Sequence, residues 1–199
     1  MWDQRYSSAE FIYGKEANDF LQESYQRIPV GGRVLCLGEG EGRNAVFLAE
    51  QGYEVTAMDL SEVGLKKALQ LAHDKGVTID TQVADLADYD FGQDKWDGII
   101  SIWAHTSEAV RQRVHLQIAP ALKAGGVFIL EAYTFEHTTL PAVGGPPASQ
   151  KGMFMSLENL RIELAALTED IAVEKQRMVS EGEMHQGLSA VVQFVGHKS

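Results

Sequence analysis

The sequence predicts an α/β protein in which a mostly parallel sheet is covered by helices on both faces. Apolar runs alternate with amphipathic stretches from Arg33 onward, which is the pattern of successive strand–helix–strand units. A glycine-rich turn directly follows the first apolar run. The last two strand-like stretches are joined by EGEMHQG, which is too short for a crossover helix and therefore predicts an antiparallel hairpin.

The individual strands and helices follow from apolar spacing and from start and stop signals. RVLCLG is a mainly apolar run, as expected of a strand that is buried on both faces. Ser61 is a suitable helix N-cap, and Gly52 and Gly76 are suitable stop signals. The predicted strands are 33–38, 53–59, 77–85, 96–103 and 127–134, and the predicted helices between them are 43–51, 61–74 and 107–122.

The C-terminal third continues with a predicted helix at 156–167 and two strands at about 171–180 and 188–196. The apolar stripe of that helix consists of Leu157, Leu160, Leu164 and Leu167. Two other regions are irregular. An N-terminal extension contains an aromatic-rich stretch and a short helix near 16–27, and a long loop at 135–155 contains GGPP. Loops of that length in compact domains are commonly lids or binding loops.

Composition excludes several classes of partner. A net charge of −11 over 199 residues disfavours nucleic acid and anionic membrane surfaces, because both would be repelled. No stretch approaches the apolar length that a membrane span needs. The single cysteine, Cys36, lies in an apolar strand and indicates a buried small hydrophobe in a reducing compartment, so we expect a cytoplasmic protein. The histidines and carboxylates show no metal-ligand spacing, and no metal site is expected.

The glycine turn predicts a ligand site at the edge of the sheet. Gly38, Gly40 and Gly42 allow a tight turn and a close approach of a ligand to the backbone. A dinucleotide fingerprint would place glycine or alanine at position 43, where this chain has Arg43. Asp59 ends the second strand, where a carboxylate can accept hydrogen bonds from both ribose hydroxyls.

The third strand ends in a second acidic residue. Asp85 is placed to accept from an exocyclic amino group, with Leu60 and Leu86 packing on the faces of an adenine ring. The alternatives are a turn or capping role for Asp59 and a solvated strand end for Asp85.

At these positions the chain resembles the class I S-adenosylmethionine-dependent methyltransferases. The resemblance rests on VLCLGEGEG, VTAMDLS, VADLADY, WDGIISIW, LKAGGVFILE and the closing hairpin. The N-terminal WDQRY and the short C-terminal part look like the small bacterial tellurite-resistance and thiopurine methyltransferase branch. The fold implied is a three-layer Rossmann-like domain with a seven-stranded sheet in the order 3-2-1-4-5-7-6 and strand 7 antiparallel.

The resemblance also implies roles at the cofactor. By position, Gly38, Glu39, Gly40 and Gly42 would line the methionine half of S-adenosylmethionine. Asp59 would take the ribose, and Leu60, Asp85 and Leu86 would enclose the adenine. Ile102 and Trp103 would face the sulfonium and the acceptor. Many members of the family carry an acid where this chain has Cys36, and Glu39 is a candidate substitute for recognition of the cofactor's amine.

The two glutamates of the glycine loop favour this cofactor over a dinucleotide. Carboxylates at Glu39 and Glu41 would repel a pyrophosphate, whereas S-adenosylmethionine has no phosphate and carries a sulfonium and an ammonium group. The N-terminus of the following helix and either Arg43 or Asn44 are expected to remain available for the cofactor's carboxylate.

Methyl transfer is an in-line displacement, so positioning can supply most of the catalysis and a base is needed only for a protonated acceptor. His105, after strand 4, is the candidate catalytic base, and a solvated loop residue is the alternative. His185 in the hairpin turn and Tyr133 at the end of strand 5 are further candidates for the acceptor pocket. Arg5 and Tyr6 are candidates for a lid over the cofactor.

The sequence therefore predicts one methyltransferase domain over 1–199, with an extension or lid at 1–30, a cofactor-binding core at 31–134, and the loop, helix and hairpin at 135–199. The predicted reaction is methyl transfer to a small molecule such as a thiol or a selenium or tellurium compound, by a monomer or weak homodimer. A nicotinamide-dependent oxidoreductase and a non-catalytic S-adenosylmethionine-binding protein are the alternatives.

Overall fold

A computed structural model describes residues 2–199; Met1, the first residue of the predicted extension, lies outside the described residues. Its centre is a seven-stranded sheet. The strands are β1 (Arg33–Leu37), β2 (Glu54–Asp59), β3 (Asp80–Val83), β4 (Trp96–Ile102), β5 (Leu122–Tyr133), β6 (Thr168–Ser180) and β7 (Gln186–His197). Their order is β3-β2-β1-β4-β5-β7-β6, and β7 is antiparallel to both β5 and β6. The predicted fold class and strand order are confirmed.

Within residues 2–199, six α-helices precede, connect or flank the strands. They are α1 (Trp2–Arg5), α2 (Asp19–Ser24), α3 (Arg43–Glu50), α4 (Glu62–Asp74), α5 (Glu108–Ala121) and α6 (Leu157–Glu163). Short 3-10 turns occupy Tyr25–Arg27, Phe135–Thr139 and Ala148–Met153. None of the helices among residues 2–199 is long and apolar enough to cross a membrane.

Strand β1 shows why the sheet is covered on both faces. Successive side chains of a strand point to opposite faces. Val34 and Cys36 enter one apolar core, and Leu35 and Leu37 enter the other. All four side chains are buried, so β1 has no solvent-facing side beyond its exposed first residue, Arg33, and the rest of its sequence is an apolar run. Burial also raises the pKa of the Cys36 thiol, which fits the predicted small hydrophobe.

Several predicted boundaries are wrong, for identifiable reasons. The strand predicted at 77–85 is the four-residue β3, an edge strand that pairs only with β2 and is mostly exposed. The strand predicted at 127–134 begins earlier, because Leu122 pairs with Trp96 before a bulge.

Near the chain ends, the helix predicted at 16–27 is the six-residue α2 followed by a 3-10 turn, and α1 was not predicted. The helix predicted at 156–167 ends at Glu163, and Leu164 and Leu167 continue the buried stripe from a turn. The hairpin strands are longer than predicted and pair from Thr168 with His197 to Ser180 with Gln186.

The glycine at the start of α3 is required by packing as well as by conformation. Gly42 has φ +90°, and a Cβ there would overlap Ala68 of α4. Gly52 has φ +89°, but a Cβ there would meet nothing within 4 Å. Substitutions at the two positions therefore distinguish the cost of backbone strain from the cost of steric overlap.

We expect Gly52→Ala to lower the free energy of unfolding by about 1 kcal/mol through backbone strain. Gly42→Ala should lower it by about 2 to 4 kcal/mol, because overpacking against Ala68 adds to the same strain. Urea denaturation of both variants measures the difference. Equal losses would show that α3 and α4 separate easily at this contact.

Candidate active site

A cavity of about 680 Å³ opens at the carboxyl ends of β1, β2 and β4. The predicted site residues that line it are Gly38, Glu39, Asp59, Leu60, Asp85, Leu86, Ile102, Trp103 and His105. Residues from the N-terminal segment, the loop after β5 and the hairpin turn complete the wall; they include Tyr6, Tyr13, Gly144, Pro146, Met153, Met184 and His185. One continuous cavity thus joins the glycine loop to the region where an acceptor is expected.

Gly40 and Gly42, predicted to line the cofactor, are not among the lining residues. Gly42 packs on Ala68, and Tyr6 lies against Gly40 so closely that a Cβ would overlap its hydroxyl. Gly40 instead contributes its backbone N–H, which donates to Asp59 Oδ2 at 2.9 Å. The glycine pattern marks the loop correctly, but two of its glycines serve packing and backbone geometry.

Asp59 is fixed where a ribose-binding carboxylate is expected. The Ser61 N–H donates to Asp59 Oδ1 at 2.8 Å, and Gly40 occupies the other oxygen. The side chain is buried, which raises its pKa. A carboxylate has about four acceptor positions, so both oxygens can still accept from hydroxyls that enter the cavity.

Glu39 is anchored as well as cavity-lining. The N–H groups of Asn44 and Ala45 donate to Glu39 Oε1 at 2.9 and 2.8 Å, so this carboxylate caps the N-terminus of α3. Arg43 is paired with Glu181. The expectation that the helix N-terminus and Arg43 are available for the cofactor's carboxylate is therefore wrong, because the chain's own carboxylates occupy them. Asn44, the other candidate, lines the cavity, and its side-chain oxygen accepts from the Asn18 N–H.

The other loop glutamate holds the N-terminal segment. Glu41 is buried, forms an ion pair with Lys67 of α4, and accepts from the Tyr13 N–H at 3.3 Å. Nearer the N-terminus of the same segment, Asp3 accepts from the Ser61 hydroxyl at the start of α4. The segment is thereby pinned across the glycine loop, with Tyr6 and Tyr13 on the cavity wall.

Trp103 at the end of β4 has an unusual backbone. Its φ of +56° lies in the left-handed region, which costs a bulky residue free energy unless other contacts compensate. The indole N–H donates to Glu181 Oε2 at 2.7 Å, and the ring stacks on Tyr133 at a centroid distance of 4.3 Å. These contacts fix the indole at the wall where the sulfonium and acceptor are expected.

Behind that wall lies a buried ionic network that the sequence did not predict. Glu181 pairs with Arg43 and Arg177, and Arg177 pairs with Glu131 through two hydrogen bonds of 2.7 Å. Asn18 donates to Glu131 at 2.6 Å and to Glu181 at 2.9 Å. Arg43 and Arg177 balance the two carboxylates, and the interaction with Arg43 helps hold the pKa of Glu181 well below its usual range despite burial.

His105 lines the cavity, but its geometry does not favour the predicted base role. Its Nδ1 lies 2.9 Å from the Met153 carbonyl, and the Tyr133 N–H donates to Nε2 at 3.2 Å. Burial lowers its pKa to about 4, so the ring is neutral at pH 7. With both nitrogens bound to backbone groups, His105 links β5 to the 3-10 turn at Ala148–Met153.

The same loop is held from the other side by α5. Arg111 donates to the Gly152 carbonyl at 2.8 Å and pairs with Glu163, which also contacts His115.

Among residues 2–199, no group of three or more metal-ligating side chains is placed to hold a metal ion.

The charged side chains that line the cavity indicate which cofactor it can hold. Its carboxylates are Glu39, Glu41, Asp59 and Asp85, and its arginines are Arg5 and Arg43. Arg43 is already paired with Glu181. Glu41 is likewise paired with Lys67, which leaves Glu39, Asp59 and Asp85 against Arg5. A pyrophosphate would still face more negative than positive charge, whereas a sulfonium and an ammonium would be attracted. Leu60 and Leu86 supply apolar wall beside Asp85, so the residues present fit S-adenosylmethionine.

Comparison with known proteins points to methyltransferases. Residues 34–126 match a family model described as a methyltransferase domain. A curated tRNA 5-carboxymethoxyuridine methyltransferase of Escherichia coli K12 is 41% identical over 58 residues, which are 29% of this chain and 22% of that enzyme. The match therefore spans about a fifth of the relative's length.

Solved structures share the whole fold. TehB from Haemophilus influenzae superposes with a TM-score of 0.72 and 17% identity, covering 100% of this chain and 66% of that one. A SAM-dependent methyltransferase from Aquifex aeolicus superposes with a TM-score of 0.70 and 14% identity, covering 99% and 98%.

The family model covers slightly less than half of this chain, and the solved structures share its seven-stranded methyltransferase-like fold.

The pKa of Glu39 yields a prediction about stability. Burial raises it to about 7 in the folded chain from a usual value of 4.5. A raised acid pKa stabilises the fold below pH 4.5, and that contribution is lost as pH rises through 7. Glu39→Gln keeps a capping oxygen without the charge, so its unfolding free energy should exceed that of wild type by about 1 to 3 kcal/mol at pH 8 but not at pH 4.

Urea denaturation at the two pH values measures this difference. Glu62→Gln, at an exposed first-turn position of α4, is the control and should show no such pH dependence. A Glu39→Gln effect that is the same at both pH values would show that Glu39 titrates normally.

Proposed function

We propose that the chain transfers the methyl group of S-adenosylmethionine to a small-molecule acceptor. The observation that carries the proposal is the single cavity that runs from the carboxylate-lined glycine loop to the aromatic wall of Trp103 and His185. When bound, S-adenosylmethionine supplies the electrophilic methyl group. The chain's own residues hold the two reactants in line, which is sufficient for a large rate gain.

The wall and its cover support a small acceptor. The cavity is flanked by the N-terminal segment and by the loop that contains Gly144 and Pro146. The ion pair of Glu41 with Lys67 holds the N-terminal segment over the cavity, and Arg111 holds the end of the loop that follows β5. Such a cover keeps bulk water from the reacting atoms. A net charge of −11 weighs against nucleic acid as acceptor, although the curated relative's name gives tRNA as its substrate.

The acceptor class proposed is a thiol or a selenium or tellurium compound. The support is the resemblance to the tellurite-resistance and thiopurine branch, together with the fold shared with TehB. A monomer or weak homodimer in the cytoplasm, without a nucleic-acid or membrane partner, belongs to the same proposal.

A methyl-transfer screen tests the proposal directly. The full chain is incubated with S-adenosylmethionine and with thiols, chalcogen oxyanions or small amines, and S-adenosylhomocysteine is measured. Formation that depends on a thiol or chalcogen acceptor is the expected result. Cofactor binding with no turnover throughout the screen would favour the non-catalytic alternative.

Asp59 gives a sharper test of the cofactor site. Asp59→Asn should weaken S-adenosylhomocysteine binding about 10- to 100-fold, because a charged acceptor of the ribose hydroxyls is lost. Asp80→Asn, at the exposed start of β3, is the matched control. Isothermal titration measures both. Unchanged affinity in Asp59→Asn would reduce Asp59 to an anchor for Gly40 and Ser61.

Deletion of residues 1–15 tests the cover over the cofactor. The deletion removes Tyr6 from Gly40 and Tyr13 from Glu41 but leaves every strand in place. Cofactor binding should be abolished while the circular dichroism spectrum and cooperative unfolding persist. Retained cofactor affinity would show that the segment only packs on the domain.

A further inference from the structure

His185 stands at the cavity wall with one ring nitrogen engaged. It lies in the turn between β6 and β7, with its ring 4.9 Å from Tyr13 and 5.2 Å from Trp103 between centroids. Its Nδ1 is 2.7 Å from the Tyr133 hydroxyl. Nε2 makes no hydrogen bond with any residue from 2 to 199, and the residue lines the cavity.

Tyr133 determines which nitrogen of His185 carries the proton. Tyr133 is fully buried, does not line the cavity, and makes no other hydroxyl hydrogen bond within the described chain. If His185 Nδ1 donated to the hydroxyl oxygen, the phenolic proton would be buried without an acceptor, which is unfavourable. Donation from the Tyr133 hydroxyl to Nδ1 satisfies both groups. A neutral imidazole in this arrangement carries its proton on Nε2.

The surroundings keep both His185 and Tyr133 neutral. Burial lowers the pKa of His185 to about 3, and the nearby Arg43 guanidinium acts in the same direction. Burial and the Glu181 carboxylate raise the pKa of Tyr133, so its hydroxyl remains a donor. The group that His185 presents to the cavity is therefore a neutral N–H with no free lone pair.

We propose that His185 binds the methyl acceptor through its Nε2–H, in a tautomer set by Tyr133, and that the acceptor presents a hydrogen-bond-accepting atom to it. This inference rests on the proposed function and names a specificity residue of the same site. A fixed donor discriminates against acceptors that lack a matching lone pair, because it would then be left unpaired. His185 in this state orients the acceptor and does not remove its proton.

The tautomer is tested by nitrogen NMR of the full chain with ¹⁵N-labelled histidine, using His185→Gln to assign the signal. Wild type should show a protonated Nε2 and an unprotonated Nδ1. Tyr133→Phe, which removes only the hydroxyl, should give a mixture of the two tautomers. A protonated Nδ1 in wild type would overturn the inference.

Acceptor binding is tested with 4-nitrothiophenol as the probe. Adding it to the S-adenosylhomocysteine complex should shift the Nε2 resonance of His185, and the absence of a shift would overturn the inference even if the tautomer is as expected. This readout needs no turnover, so its failure is distinct from failure of methyl transfer.

With S-adenosylmethionine, His185→Phe should raise the KM for the probe about tenfold, the effect of one lost hydrogen bond. His185→Gln, which retains a donor, should recover part of the loss. The dissociation constant of S-adenosylhomocysteine should stay unchanged in both variants, and His73→Phe on the exposed face of α4 is the control. An unchanged KM for the probe in His185→Phe would contradict the assignment. Lack of turnover in wild type would count against the proposed function. The two NMR experiments would then decide the inference about His185.

Discussion

The buried ion network around Glu181 and Glu131 fixes the parts of the site relative to one another. Two carboxylates and two guanidiniums are removed from water behind the cavity wall, which is favourable only when every charge is paired and hydrogen-bonded. Here Arg43, Arg177 and Asn18 supply those partners. Loss of one partner from such a network typically costs about 3 to 5 kcal/mol, because the remaining charge stays buried.

The network also joins distant segments. Arg43 begins the helix after the glycine loop, Glu131 lies in β5, and Arg177 and Glu181 belong to the hairpin. Glu181 additionally holds the indole of Trp103, whose left-handed backbone needs compensating contacts. The hairpin, which lies far from the glycine loop in the sequence, therefore controls the position of the wall at which methyl transfer is proposed.

The two glutamates of the glycine loop serve the fold as well as the ligand. Glu39 caps α3, and Glu41 ties α4 to the N-terminal segment. Glu39 is charged only in part at neutral pH and Glu41 is paired with Lys67, so both glutamates are compatible with a sulfonium and an ammonium, and the unpaired acids Asp59 and Asp85 add to the negative charge that disfavours a pyrophosphate. Glu39 can serve both roles because it accepts from the N–H groups at the start of α3 and also lines the cavity in which the ligand is expected.

The sequence predicted the features that depend on local periodicity. The closing hairpin and the strand-end position of Asp59 follow from the alternation of apolar runs and from the short connection between the last two strands. The strand order was implied by the resemblance to the class I methyltransferases, and Asp85 lies two residues beyond the end of β3. Contacts across long sequence separations were not predictable. The His105 nitrogens are taken by backbone groups of Met153 and Tyr133, and Gly42 is required because Ala68 packs against it.

One long-range feature did leave a signal in the sequence. Glu131 interrupts the apolar run VFILEAYT, and a carboxylate in a buried strand must have partners. The identity of those partners depends on the register of β5, β7 and β6, since Gln193 reaches Glu131 from the adjacent strand β7 and Arg177 reaches it from β6, one strand farther away. That register is set by the tertiary fold and cannot be read from the periodicity of one strand.

The central claim is that the carboxylate-lined cavity selects a sulfonium cofactor over a dinucleotide. Isothermal titration of the full chain with S-adenosylmethionine and, separately, with NAD tests it most directly. Saturable binding of one S-adenosylmethionine per chain, with no heat of binding for NAD, is the result expected. Saturable NAD binding without binding of S-adenosylmethionine would contradict the account.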